Sequence, residues 1–272
     1  MNPTRLVQLL QQGPLPELIQ ALDDTPRAIQ TFLNQPRPHG GEQWLPLHFA
    51  AAAGYAAAVD LLLDRGAKPD VRTRYRTPMH ARATPLHLAA AAGHADVVKR
   101  LLQANAETEV RDASQRSPLW LAASHHHPDV VSQLLAAGTD VEARDTQQRS
   151  PLHAALLPPK PGPERNEGPD TPPSNDRPHL AGSSFDFNAA LAVLLPLLAA
   201  GADPNATCPK EPAGYTPLHR CITLGDPAFP IAQALLAADA DPTLADPRHA
   251  RTPHALAEHL GRDAYRLILP PP

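Results

Sequence analysis

Histidine offers this chain its most obvious chemistry. His48, His87, His153 and His219 each stand two residues after a proline, in Leu45-Pro46-Leu47-His48, Thr84-Pro85-Leu86-His87, Ser150-Pro151-Leu152-His153 and Thr216-Pro217-Leu218-His219. An imidazole acts as a general base only with a nucleophile or carboxylate held against it, and none recurs at a fixed distance from these four. His125-His126-His127 is the densest cluster. Three consecutive side chains on a regular helix diverge, and a bend brings at most two of them to one ion. Zinc takes three or four ligands with a supporting second shell, so the triplet reads as a polar bend ahead of a metal site. There is no Gly-rich phosphate loop, Cys-x-x-Cys pair or Gly-x-Ser-x-Gly elbow. Asp23 and Asp24 are adjacent on a loop edge, solvated rather than catalytic. No catalytic, cofactor-binding or metal-binding residue is assigned, and a metal-dependent enzyme is the weakest of the functional readings.

The elements around these histidines repeat. Thr84 is a good N-cap and Pro85 suits the first helical position. Leu86 to Ala92 gives a short, thin helix that Gly93 breaks, and Val97, Val98, Leu101 and Leu102 form the apolar stripe of a second helix. Asn105 follows, a residue that tolerates a left-handed cap. Pro85, Pro118 and Pro151 follow one another at intervals of 33 residues. That period, with Thr/Ser-Pro-Leu-His at the head, resembles the ankyrin repeat. The resemblance covers roughly Trp44 to the C-terminus. It implies an all-α solenoid of stacked helix-turn-helix units with short β-hairpin-like fingers and helical caps, and a non-catalytic role in binding another protein. It also implies that each head histidine bonds its own Thr or Ser and nearby backbone, pinning neighbouring repeats.

In order, residues 1–43 read as an N-terminal helical cap holding a possible degenerate repeat, with helices over 4–12, 15–23 and 25–34. Residues 44–272 carry the repeats, with heads near 45, 84, 117, 150, 216 and 252. Leu45 replaces the capping Thr, at a cost of about 1 kcal/mol. Pro46 and Pro85 are 39 residues apart, and the surplus falls in the finger over 72–83, where Thr77-Pro78-Met79-His80 is a decoy head. Trp120 takes the histidine position of the third repeat. Residues 158–184, rich in Pro, Gly, Asp, Asn and Ser, read as a disordered insert between the two helices of the fourth. Pro196 should kink the helix that follows or remove a hydrogen bond from it. The sixth repeat should cap the C-terminal end.

Composition agrees. Net charge is −4 and aromatics are 4% of the chain, with Ala and Leu dominating the apolar set, which suits thin helices stacked closely. Mild acidity does not indicate a nucleic-acid binder. Cys208 and Cys221 are too few for a disulfide framework, and Cys221 falls where other copies carry alanine. There is no secretory h-region and no run of ~20 apolar residues, so the expected location is cytoplasmic, with signal-less export left open. The excess of Arg over Lys, with abundant Ala and Pro, suggests a GC-rich bacterial source.

Binding residues are expected where copies differ. Arg72, Arg111 and Arg144 share one finger position, and Arg76, Arg116, Arg149 and Arg251 lie just before Thr or Ser residues, with Arg74 nearby. Trp44, Tyr75 and Tyr215 are candidate anchors near the tips. Ala52, Ala53, Ala91 and Ala92 make a smooth first-helix floor, followed by Ser124 and His125. One reading is an acidic patch on a protein partner, gripped by arginine. The other is that Arg111 and Arg144 merely pair with the adjacent Asp112 and Asp145. Nucleic acid lacks support from aromatic interleaving, and a monomer is favoured. Two biological roles stay open: an immunity or inhibitor protein that blocks a toxin or enzyme, and an adaptor or effector aimed at host proteins.

Overall fold

Proline sets the start of nearly every first helix, and a Thr or Ser before it closes the end. The computed structural model describes residues 9–10, 13–23, 33–34, 42–75, 82–157, 185–209, 214–247 and 249–269. Within these, helix α1 (Leu15–Asp23) precedes six helix pairs: α2 (Pro46–Ala53) and α3 (Ala56–Asp64), α4 (Pro85–Ala92) and α5 (Ala95–Gln103), α6 (Pro118–Ser124) and α7 (Pro128–Ala136), α8 (Pro151–Ala155) and α9 (Phe187–Ala199), α10 (Pro217–Leu224) and α11 (Phe229–Ala237), α12 (Pro253–His259) and α13 (Asp263–Arg266). First helices stack on first helices and second on second: α2, α4, α6 and α8 form one row, α3, α5, α7, α9 and α11 the other. The apolar stripes meet between the rows, where Val59, Val98, Leu101, Val131, Leu134, Leu197 and Leu235 are wholly buried. Each such leucine contributes about 2 kcal/mol of transfer free energy.

The caps follow the sequence closely. Thr84, Ser117, Thr216 and Thr252 accept the N–H of the third helical residue, whereas Leu45 has no side-chain cap. Asn105 adopts a positive φ of 58°. Helix α9 runs through Pro196 to Ala199 without ending there. The bends show why glycine recurs. Gly54 and Gly93 have φ of 74° and 76°, and a Cβ on either would lie 2.6 Å from a ring nitrogen of His94 or His127 in the next repeat. In the third repeat His126 takes the glycine position with φ 57°. Phe185, where the chain returns after the insert, packs edge-on against that ring at 5.3 Å. The insert itself, 158–184, lies outside the described residues, as do most of the helices expected over 4–12 and 25–34 and the decoy head at 77–80.

Fingers close through their backbones. In the 33-residue copies the N–H groups of Asp112 and Asp145 donate to the carbonyls of Arg116 and Arg149. The finger after the first repeat is larger. Thr73 and Ala83 close its base, and β2 (Arg74–Tyr75) pairs antiparallel with β1 (Glu42–Gln43), with Glu42 opposite Tyr75. At the C-terminal end, Glu258 and Arg266 replace the buried Ala90 and Val98 of the second repeat and form an ion pair of 3.5 Å. A polar pair there is what the exposed end of a solenoid requires.

Candidate functional site

The head histidines are built into the stack. Thr84 N–H donates to His87 Nδ1 at 3.2 Å, and the Thr84 hydroxyl lies 2.8 Å from the same nitrogen. With Nδ1 accepting, the proton sits on Nε2, which donates to the carbonyl of Arg116 at 3.1 Å. His219 does the same to Arg251 at 3.0 Å. Trp120 substitutes without loss, its indole N–H donating to Arg149 at 3.1 Å. His48 reaches the carbonyl of Val71 at 3.0 Å, and its ring also feels the backbone of Ala83, the residue just before the next head. His153 bonds Ser150 through Nδ1 at 2.9 Å, and its buried Nε2 has no partner among the described residues. Burial holds the imidazoles of His48, His87 and His153 down at about 4, so these rings are neutral donors at neutral pH.

The histidine triplet is likewise spent on backbone. His127 Nε2 donates to Ala91 and His94 Nε2 to Ala52, each at 3.1 Å, while His126 reaches Ala155 at 2.9 Å. His125 stacks on His127 with centroids 6.2 Å apart. Burial lowers His126 and His127 as well. Among the described residues, no group of three or more His, Cys, Asp or Glu could hold a metal ion. Burial pushes the Cys221 thiol far up, so it stays protonated. Cys208 is also buried.

The arginines pair differently from the adjacent-neighbour expectation. Asp112 folds its finger: Oδ1 accepts the N–H groups of Ser114 (2.8 Å) and Arg116 (2.9 Å), and Oδ2 takes the Arg116 guanidinium at 2.7–2.8 Å. Asp145 repeats this with Gln147 and Arg149. Both carboxylates are 2% exposed, which makes these partly desolvated, hydrogen-bonded pairs rather than surface ones. Arg116 and Arg149 also face the Trp120 ring, at 5.7 and 5.5 Å. Arg111 pairs with Glu109 (3.2 Å) and Asp140 (3.7 Å), not Asp112. Arg144 pairs with Glu142 (3.5 Å) and bonds the carbonyls of Gln148 and Thr207, not Asp145. The turn is the physical cause: it brings the residue four positions on, rather than the adjacent one, against the buried carboxylate.

Of the remaining predicted site residues, Arg72 is exposed. Arg251 lies before the last head, its N–H bonded to Asp246. Trp44 packs on Phe49 at 5.1 Å, and Tyr215 stacks on His219 at 5.5 Å. Ser124 is buried and donates to the Leu121 carbonyl, and the half-buried His125 bonds the same carbonyl. Arg74 and Tyr75 lie on β2, with side chains outside the described set, and Arg76 lies outside it altogether.

Sequence reasoning missed a ladder at the base of the fingers. Asp70, Glu109, Glu142 and Asn205 accept the N–H groups of Glu107, Asp140, Asp203 and Asp241, at 2.7–2.9 Å. Asn34 accepts from Lys68 and donates to Gly66, as Asn205 accepts from Asp241 and donates to Asp239. Asn34 thus makes to Lys68 and Gly66 the two bonds that Asn205 makes to Asp241 and Asp239. The signal was an acid or Asn two residues after Lys68, Glu107, Asp140 and Asp203.

Residues 18–112 and 74–145 match the family model described as ankyrin repeats (3 copies), and residues 213–247 match the single ankyrin repeat. The match starts upstream of Trp44, in α1. No curated protein matches the chain. Among the described residues no helix is long and apolar enough to cross a membrane.

Proposed function

The chain belongs to the ankyrin-repeat family, and from that premise we propose that it is a non-catalytic binding protein that holds another protein against its first-helix face and fingers. Ankyrin repeats are generally protein-interaction modules, and proteins built from them are typically non-catalytic. The observation that carries the reading is how the polar groups are spent. Head histidines, the His94 and His127 rings and the buried finger carboxylates are all bonded inside the stack. Toward solvent, α2 leaves the half-buried Phe49 and Ala52 and the exposed Ala53, and α4 leaves the half-buried Ala92, bordered by fingers rich in arginine. Small side chains leave room for a partner's bulky ones, and the bordering arginines favour carboxylates on that partner.

The test is a steric block. Ala53→Arg with Ala92→Arg should leave the circular dichroism spectrum unchanged and abolish capture of the proteins that the wild-type chain retains from its native cell extract, identified by mass spectrometry. Recovery of the same proteins in the same amounts would overturn the binding face.

A further inference from the structure

The first helices are open at the two ends of the solenoid and largely closed between them. On α2 the side turned to solvent carries Phe49, Ala52 and Ala53. On α10 the same positions, one helical turn apart, carry Arg220, Thr223 and Leu224, all half-buried, while Leu218, His219, Cys221 and Ile222 face inward. In the intervening helices Leu88, Ala91, Leu121, Ser124 and Ala154 fill these places and are buried. The open stripe of α10 continues onto α12, which packs beside it. The heads Thr216 and Thr252 are 36 residues apart, so His259 and Leu260 stand level with Thr223 and Leu224. Both are exposed.

The two ends differ in chemistry. Phe49 and two alanines make the α2 end apolar, whereas Arg220 brings a guanidinium onto the floor at the other end. Its Nε is buried and has no hydrogen-bond acceptor among the described residues. The Thr223 hydroxyl already donates to the Arg220 carbonyl at 2.7 Å. The backbone under Arg220 is held firmly: the ring of the preceding residue, His219, donates to the Arg251 carbonyl at 3.0 Å and stacks on Tyr215 at 5.5 Å. A placed guanidinium beside Leu224 and Leu260 matches a carboxylate that arrives with apolar neighbours. The carboxylate supplies the acceptor that the buried N–H needs, and the leucines exclude water from the pair.

We propose that Arg220, Leu224 and Leu260 form the anchoring subsite of this surface, and that it takes a glutamate side chain set among leucine-sized side chains on the partner protein. This rests on the binding reading above and places its anchor in the last two repeats.

The probe is a peptide with blocked ends and a leucine-glutamate-leucine-leucine centre, titrated into the full chain at low ionic strength and followed by amide NMR. Chemical-shift changes should centre on residues 220–224 and 256–260. Arg220→Gln should weaken binding by about tenfold, and so should glutamine in place of the probe's glutamate. The two changes together should cost no more than either alone, because they remove one interaction. Leu260→Ser, at an exposed position that leaves the thermal transition unchanged, should weaken binding by about threefold. Shift changes centred on the fingers, an unchanged affinity in Arg220→Gln, or losses that simply add would overturn the assignment. Helices α6 and α8 separate the subsite from Ala53 and Ala92, so Ala53→Arg with Ala92→Arg should leave peptide binding intact. Arg220-dependent peptide binding, with native-partner capture unaffected by the alanine variant, would sink the face at the first repeats and spare the subsite. Capture blocked by the alanine variant, with no Arg220-dependent peptide binding, would do the reverse.

Discussion

Lowering the pH from 7.5 to 5.0 should remove much of this protein's stability. His48, His87 and His153 are buried and neutral, with folded pKa values of about 4 against 6.5 for a free imidazole. The unfolded chain therefore binds protons that the native state refuses. Their contribution is whole above pH 6.5 and is lost as pH falls toward 4, below which no more is lost. Linkage at pH 5 gives about 2 kcal/mol per histidine, or roughly 6 kcal/mol for three in separate repeats. Typical domain stabilities are about 5–15 kcal/mol. Carboxylates remain largely ionised at pH 5 and contribute little to this window. Urea titrations followed by far-ultraviolet circular dichroism at the two pH values measure the loss. His87→Gln keeps a donor toward the Arg116 carbonyl, and it should shrink the pH-dependent difference by about 2 kcal/mol. A denaturation midpoint that does not move between pH 7.5 and 5.0 would refute the reasoning. So would a His87 imidazole that titrates near its free value by NMR while the fold is intact.

Gly93→Ala should cost about 2–3 kcal/mol, combining a left-handed backbone with a Cβ 2.6 Å from His127 Nδ1; thermal denaturation of Gly93→Ala/His127→Ala should show the steric share relieved. Trp120→Phe removes one of the two N–H groups that the Arg149 carbonyl accepts and should cost about 1 kcal/mol, whereas Trp120→His should cost less because the other heads show that an imidazole reaches the equivalent acceptor. Asp112→Ala strips the turn of its acceptor and takes the carboxylate at 2.7 Å from Arg116, and should destabilise by about 3 kcal/mol, with Asp112→Asn milder because its amide oxygen still accepts the two backbone N–H groups; chemical denaturation orders the two.

The residues of the proposed binding surface were partly legible as positions. The alanine floor and the arginine positions follow from comparing copies, since repeats align themselves. The distinction between arginines was hidden, because Arg72, Arg111 and Arg144 occupy one position in the alignment. The folded fingers deliver Glu109 and Asp140 to Arg111 and Glu142 to Arg144, pairings that the alignment does not display. Ser124 looked available from sequence because a short helix shows no face of its own; stacking buries it.

By itself the sequence determined the repeat register, the helix starts at Thr/Ser-Pro and the apolar stripes. These are local matters, settled within a few residues by capping geometry and by a 3.6-residue period. Only tertiary structure decided which charges pair, which carbonyl each head ring reaches and that Asn34 bonds Lys68 and Gly66. A carboxylate that can accept from several donors is assigned by where the chain returns. That return is set by finger length and by the neighbouring repeat, so Asp112 belongs to Arg116 rather than to Arg111 beside it.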